Sequence, residues 1–474
     1  MDTNGLELLF PKEFIFGAST SAYQIEGCPS ADGKGPSIWD SFAHRKGKIK
    51  NRDTGDIACA HYDFWREDAE LMRKLGLDAY RGSISWSRIL PDGTGTVNRK
   101  GLDFYSRLAD GLLEAGVQPW FTLFHWDLPL ALQRRGGFAN RDCACWFADY
   151  AEIVAGALGD RVKNWFTINE PFEFSCFGHL LGTHAPGLRS PWKYFSVMHH
   201  LLLAHGSALE RIRSVRPDNK AGIVLSYTTV EPRSKKPGDA RAAFLADQFM
   251  NRITLDPLLK GRYPEELFRA ARIFAPRIKD GDLALISKSA DFVGLNYYSR
   301  ETAFRDVLTP VFGFSVTGKD GGGRRDDSIG RTSMGWEVYP RGLYDLAKLL
   351  QTEYGNPPAI IAENGAAFED LVENRLSEYA FSPFFSGDQE RSVRDVERVR
   401  FLQEYIGSLG KAVSEGADVK GYFVWSLLDN FEWAEGYRPR FGLVRVEPAT
   451  LRRTVKDSGF WYAELIRAHR SLRD

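Results

Sequence analysis

The sequence predicts one closed (β/α)8 barrel, an α/β fold occupying residues 1–474 as a single domain. Three observations lead there. Short apolar segments alternate with longer amphipathic ones from end to end, eight such short segments can be counted, and no composition break divides the chain. The longest low-complexity run is only Gly321-Gly322-Gly323.

In order, the expected strands are residues 14–18, 79–85, 118–124, 164–169, 221–227, 292–296, 359–363 and 421–425. Between the first two, residues 62–75 read as a helix carrying Trp65, Ala69, Met72 and Leu75 on one face. Further helices are expected over 102–115, 145–158, 194–212, 343–350 and 396–413. Two long connections, 305–331 after the sixth strand and 368–388 after the seventh, read as loops, the first of them mobile. Both fall on the C-terminal face, where barrel enzymes build their sites, and loops of that length suit a deep pocket with a shaped rim.

Composition narrows the function classes. A hydrophobic fraction of 43% supports a large core and excludes global disorder. The 62 basic and 62 acidic side chains balance, which offers no general attraction to nucleic acid or an anionic membrane. The twelve Trp include candidates for stacking on sugar rings. Cys28, Cys59, Cys143, Cys145 and Cys176 are odd in number and fit no zinc template, so free thiols in a reducing compartment are expected. Residues 1–16 contain Asp2, Glu7, Pro11, Lys12 and Glu13 and no long apolar run, unlike a signal peptide, and no stretch is long enough to cross a bilayer. A soluble cytoplasmic protein without metal or cofactor is expected; its oligomeric state is not legible.

Thr167-Ile168-Asn169-Glu170-Pro171 and Ile361-Ala362-Glu363-Asn364-Gly365 each end an apolar run with a carboxylate. A lone glutamate there is most simply a surface group or a neighbour of a helix cap. Two at matching strand ends, each beside an Asn, suit glycoside hydrolysis, which needs one carboxyl to protonate the leaving oxygen and one to attack the sugar or activate water. Apolar surroundings raise a carboxyl pKa and suit a general acid. The surroundings do not say which of Glu170 and Glu363 is the acid.

Other strand ends add polar and aromatic groups. His125-Trp126-Asp127 leaves the third strand, and Trp425 to Trp433, with Asp429, Asn430 and Glu432, leaves the eighth; both mix rings with hydrogen-bonding groups as a sugar pocket would. Gln24 follows the first strand, and Asn296 and Tyr298 end the sixth. The phenol of Tyr298 either orients a carboxylate or caps the barrel. Arg81 is a charge within an apolar run and needs a partner, for which a catalytic carboxylate is a candidate.

Together the segments FIFGASTSAYQIEG, HWDLP, TINEP, NYY, GWEVYP, ENG and WSLLDNFEWAEGY, in this order over nearly the whole chain, resemble the β-glucosidases of glycoside hydrolase family 1. The resemblance implies a (β/α)8 barrel hydrolysing β-glucosides with retention, which requires carboxyls about 5–5.5 Å apart. It implies Glu170 as acid/base and Glu363 as nucleophile, with Arg81, Asn296 and Tyr298 positioning the nucleophile. Gln24, His125, Trp126, Asn169, Glu432 and Trp433 would hold the terminal sugar, Trp425 would stack beneath it, and Trp336 would line the leaving-group path. The implied substrates are small β-glucosides or cello-oligosaccharides, with β-galactosides or β-fucosides as variants.

Two positions choose between subclasses. Relatives acting on 6-phosphorylated sugars carry Ser and Lys around Glu432, and a carboxylate there repels phosphate. Thioglucosidases carry Gln in place of the acid/base, whereas Glu170 is intact. The chain departs from the common pattern at Gly82, where Phe is usual, and at Ala362, where Thr is frequent. The competing readings are a sugar-binding barrel without activity, which would not need both glutamates, and a phosphate-handling barrel, for which no strand-end Lys or phosphate loop is present.

Overall fold

The computed structural model describes residues 3, 5–309, 312–317, 330–373 and 392–473. The Gly321-Gly322-Gly323 run and most of both expected long loops lie outside them. Eight parallel strands form the barrel: β1 (Ile15–Ser19), β2 (Ala79–Ser83), β3 (Gln118–Phe124), β4 (Asn164–Asn169), β5 (Lys220–Pro232), β6 (Phe292–Arg305), β7 (Ala359–Asn364) and β8 (Val419–Trp425). Their order is 5-4-3-2-1-8-7-6, and β5 pairs with β6 to close the ring.

A helix follows each strand on the outside: α1 (His61–Leu75), α2 (Arg99–Glu114), α3 (Cys143–Leu158), α4 (Pro191–Val215), α5 (Pro237–Asp247), α6 (Arg341–Glu353), α7 (Val396–Ser414) and α8 (Asp457–Arg470). The expected face of α1 is the buried one, with Trp65, Ala69, Met72 and Leu75 inside. Among the described residues no helix is long and apolar enough to cross a membrane, and the five cysteines are unpaired.

The barrel interior is solid. Ala79, Trp120, Phe166, Val224, Phe292, Ile360, Ala362 and Phe423 form one buried cluster, with Ile15 packed against it. Every strand contributes, as the layered interior of this fold requires. This plug is the floor on which the polar groups of the mouth rest.

Strands β4 and β7 each break the regular ladder just above it. On its β5 side β4 pairs Phe166 with Gly222 and then Asn169 with Val224, so β4 carries one extra residue. β7 does the same, pairing Ile361 with Tyr422 and then Asn364 with Val424 of β8. Because side chains alternate faces with a period of two, one extra residue changes which of them face the axis. Asn169, Glu170 and Glu363 follow these irregularities.

The Phe usual at position 82 is replaced by other rings. Gly82 is buried, and a Cβ there would stand 3.1 Å from Tyr80 Cε1 and 3.5 Å from Phe121 Cε1. Tyr80 and Phe121 occupy the space beside Gly82. Gly82→Phe is therefore expected to destabilise by about 1–3 kcal/mol through overpacking, read as a lower urea midpoint. An unchanged or raised midpoint would show that the site has room.

Candidate active site

The polar groups at the mouth form one connected network. Arg81 is fully buried on β2, stacked 5.3 Å from the Phe166 ring. Its Nη1 donates to Glu363 Oε1 at 2.5 Å and to the Ala362 carbonyl at 3.3 Å, its Nε to Thr122 Oγ1 at 3.1 Å, and its Nη2 to Asn169 Oδ1 at 2.7 Å. The hydroxyl of Tyr298 donates to Glu363 Oε2 at 2.6 Å. Both oxygens of Glu363 are thus held by donors, one of them the charged guanidinium.

Glu170 is placed differently. Its backbone sits in the left-handed region, φ +49°, and Pro171 starts a short helix directly behind it. Asn296 Nδ2 donates to its Oε1 at 2.9 Å and Asn169 Nδ2 to its Oε2 at 3.2 Å. Both donors are neutral amides. Burial pushes its pKa well above the usual carboxylate value, with the negative charges of Glu363 and then Glu173 adding to the effect. A proton-holding carboxyl and a donor-clamped carboxylate are the unequal pair that acid and nucleophile roles need. That asymmetry is absent from the sequence.

Asn169 ties the two halves together. Arg81 fixes its Oδ1 as acceptor, so its Nδ2 points donors at Glu170 and at His125 Nε2, the latter at 3.3 Å. Trp126 holds the Asn169 carbonyl through Nε1 at 3.0 Å. Trp126 (φ +80°) and Trp433 (φ +48°) share the left-handed backbone of Glu170. Strained conformations of this kind cluster at functional sites, costing of order 1–3 kcal/mol each.

Rings form the remaining walls. Trp425 and Trp433 flank the His125 ring at 5.8 and 6.0 Å, and Trp433 packs on Trp126 at 4.7 Å and on Trp39 at 4.5 Å. Trp336 lies 5.4 Å from Tyr298 across the mouth. Gly365 explains the glycine after Glu363-Asn364: a Cβ would stand 1.7 Å from the Trp425 carbonyl.

These groups border a cavity of about 1140 Å³ lined by His125, Trp126, Glu170, Asn296, Tyr298, Trp336, Glu363, Trp425, Glu432 and Trp433 among others. Gln24, Arg81 and Asn169 stand behind that lining. Gln24 is fully buried, with Nε2 2.9 Å from the Phe431 carbonyl and 3.4 Å from Glu432 Oε2. Asp429, expected in the sugar pocket, instead accepts from Lys456 Nζ at 2.8 Å in a buried ion cluster with Asp370 and Arg398. Glu173, which the sequence did not single out, lines the cavity. Three residues after Glu170, it reads in sequence as an ordinary helix-face glutamate; only the fold reveals that it borders the cavity.

A glycoside hydrolase built on a (β/α)8 barrel is the class that this fold and two unequal carboxyls at its mouth point to. Residues 6–471 match the model of the glycosyl hydrolase family 1. The chain belongs to that family. It is 47% identical to β-glucosidase A of Thermotoga maritima over 97% of this chain and 98% of the relative. It is 45% identical to a 1,4-β-D-glucan glucohydrolase of Thermotoga neapolitana, again over 97% and 98%. It is also similar to the solved family 1 β-glucosidase of Thermotoga maritima, with a TM-score of 0.89 over 97% of this chain and 98% of that one.

Proposed function

We propose that the protein is a retaining β-glucosidase that hydrolyses terminal, unphosphorylated β-D-glucosides, short cello-oligosaccharides among them, with Glu363 as nucleophile and Glu170 as acid/base. The contrast between the two carboxyls carries this reading: one is clamped by Arg81 and Tyr298, the other is buried among neutral donors and keeps its proton. In the first step Glu363 attacks the anomeric carbon while Glu170 gives its proton to the leaving oxygen. The ester so formed removes the negative charge of Glu363. Since that charge raises the Glu170 pKa, its loss lowers it, and Glu170 becomes the base that takes a proton from water in the second step. Water then releases glucose with its β configuration.

The sugar end has its own support. His125 and Asn296 line the cavity, and each has hydrogen-bonding capacity that the described residues leave unused, at Nδ1 and Oδ1, which supports a hydroxyl-bearing ligand there. The carboxylate of Glu432 lines the same cavity, which favours free hydroxyls over a phosphate. Relatedness to a 1,4-β-D-glucan glucohydrolase supports glucan fragments among the substrates.

The test is to follow p-nitrophenyl β-D-glucopyranoside hydrolysis by proton NMR. The expected first product is β-D-glucose, mutarotating later, and the 6-phosphorylated analogue should not be turned over. An α-anomer first would overturn retention. Binding of the glucoside without turnover would leave the sugar-binding barrel as the better description.

A further inference from the structure

The leaving-group half of the cavity differs sharply from the sugar half. Phe172, Tyr194, Phe249, Phe274, Phe312 and Phe314 line it, and they pack on one another: Phe249 lies 5.4 Å from both Phe172 and Tyr194 and 5.1 Å from Phe312. A second glucosyl unit, as in a cello-oligosaccharide, can be accepted but presents hydroxyls all round its edge, which the ring faces themselves do not pair. A flat apolar body fits them better.

Two carboxyls outside the catalytic pair and the sugar end, Glu173 and Glu301, line the cavity near these rings, and Glu173 is the one next to Glu170. Glu173, at the start of the helix behind Glu170, lines the cavity, and Ser226 Oγ on β5 donates to its Oε2 at 2.9 Å. It has no ion-pair partner among the described residues, and no lysine or arginine is among those lining the cavity. Its Oε1 has no protein partner there and is not among the atoms sealed from the cavity. A carboxyl oriented by a serine, beside this cluster of rings, is a fixed hydrogen-bonding point.

Resting on the β-glucosidase reading, we infer that Glu173 is a specificity-determining residue for the leaving group, selecting β-glucosides whose aglycone is an aromatic body bearing a hydroxyl. A hydroxyl both donates and accepts, so it pairs with the carboxyl in either protonation state. Burial pushes the Glu173 pKa up to about 8, which makes that two-way match relevant at neutral pH. Losing such a bond in a desolvated wall changes selection by about tenfold or more.

The experiment measures kcat/KM for naphthyl β-D-glucopyranoside and for its isomers carrying one hydroxyl at each position of the distal ring. Wild type is compared with Glu173→Leu and Ser226→Ala. The readout is the ratio of hydroxylated to bare substrate in each protein, so intrinsic reactivity and the amount of folded enzyme cancel. In wild type at least one isomer should exceed the bare glucoside by about tenfold. That excess should vanish in Glu173→Leu and shrink in Ser226→Ala. Equal ratios in wild type and Glu173→Leu for every isomer would overturn the inference while leaving the glucosidase standing. Absence of turnover of every glucoside by wild type would instead strike the underlying reading.

Discussion

Glu363→Gln is expected to lower kcat/KM for p-nitrophenyl β-D-glucopyranoside by roughly 10⁴- to 10⁶-fold, the scale seen when a covalent nucleophile is removed. The amide keeps the shape and one acceptor, so Tyr298 and Arg81 retain a hydrogen-bond partner, but the attacking charge is gone. Stability should fall too. Arg81 is fully buried and Glu363 is 3% exposed, and removing one charge of such a pair leaves the other uncompensated, costing up to about 3–5 kcal/mol. The two effects separate with Glu363→Gly. There a small anion such as azide has room to enter on the face that Glu363 occupied, and it should restore turnover while giving an α-linked product. Full activity in Glu363→Gln would end the two-carboxyl mechanism; rescue yielding a β-linked product would place the nucleophile elsewhere.

The second large effect is at Glu170. Glu170→Gln should cost cello-oligosaccharides about 10²- to 10⁴-fold in kcat/KM, because a poor leaving group needs the proton. Glucosides of acidic phenols should lose much less in that parameter, although the second step slows for all of them. The alkaline limb of the wild-type profile, where Glu170 loses its proton, should disappear. Equal losses for good and poor leaving groups would remove the acid role.

Stability provides an independent reading with a definite sign. The folded-state pKa of Glu170 lies above that of an unfolded glutamate, near 4.3. Between those two values the folded state binds the extra proton, so this group's contribution is full below the unfolded pKa and is lost as pH rises. Urea midpoints of Glu170→Gln should therefore fall less with rising pH than those of wild type. Parallel curves would show that Glu170 is not held protonated.

Much of this was legible in the sequence, and the exceptions have physical causes. All eight strands were, because strands buried on both faces read as apolar runs. Strands β5 and β6 extend beyond their expected ends, to Pro232 and Arg305, because their outer halves pair with each other as half-buried polar chain outside the plug. Helices α5 and α8 were missed: α5 buries only Asp239 and three alanines, and Asp457, Ser458, Gly459 and His469 interrupt the buried side of α8.

The resemblance to family 1 and the enzyme class drawn from it hold. The charge partners were less accessible. Asp429 looked like a sugar ligand beside its tryptophans, and nothing in the sequence points to Lys456, 27 residues on, as its partner. The unequal surroundings of Glu170 and Glu363 come from β2 and β6, far away in sequence, and no local pattern could reveal them.

The extra residues in β4 and β7 bear on how this barrel tolerates change. Each advances the phase of its strand by half a period, so that the rim displays side chains an unbroken strand would turn toward the helices. Deleting a single residue between Phe166 and Asn169, or between Ile361 and Glu363, would leave the plug and the ring of strands in step and set the carboxyl out of step. Length in these two short segments is thus as much a part of the chemistry as the identity of the glutamates that follow them. Substitution can tune the site, while insertion or deletion there acts as a switch.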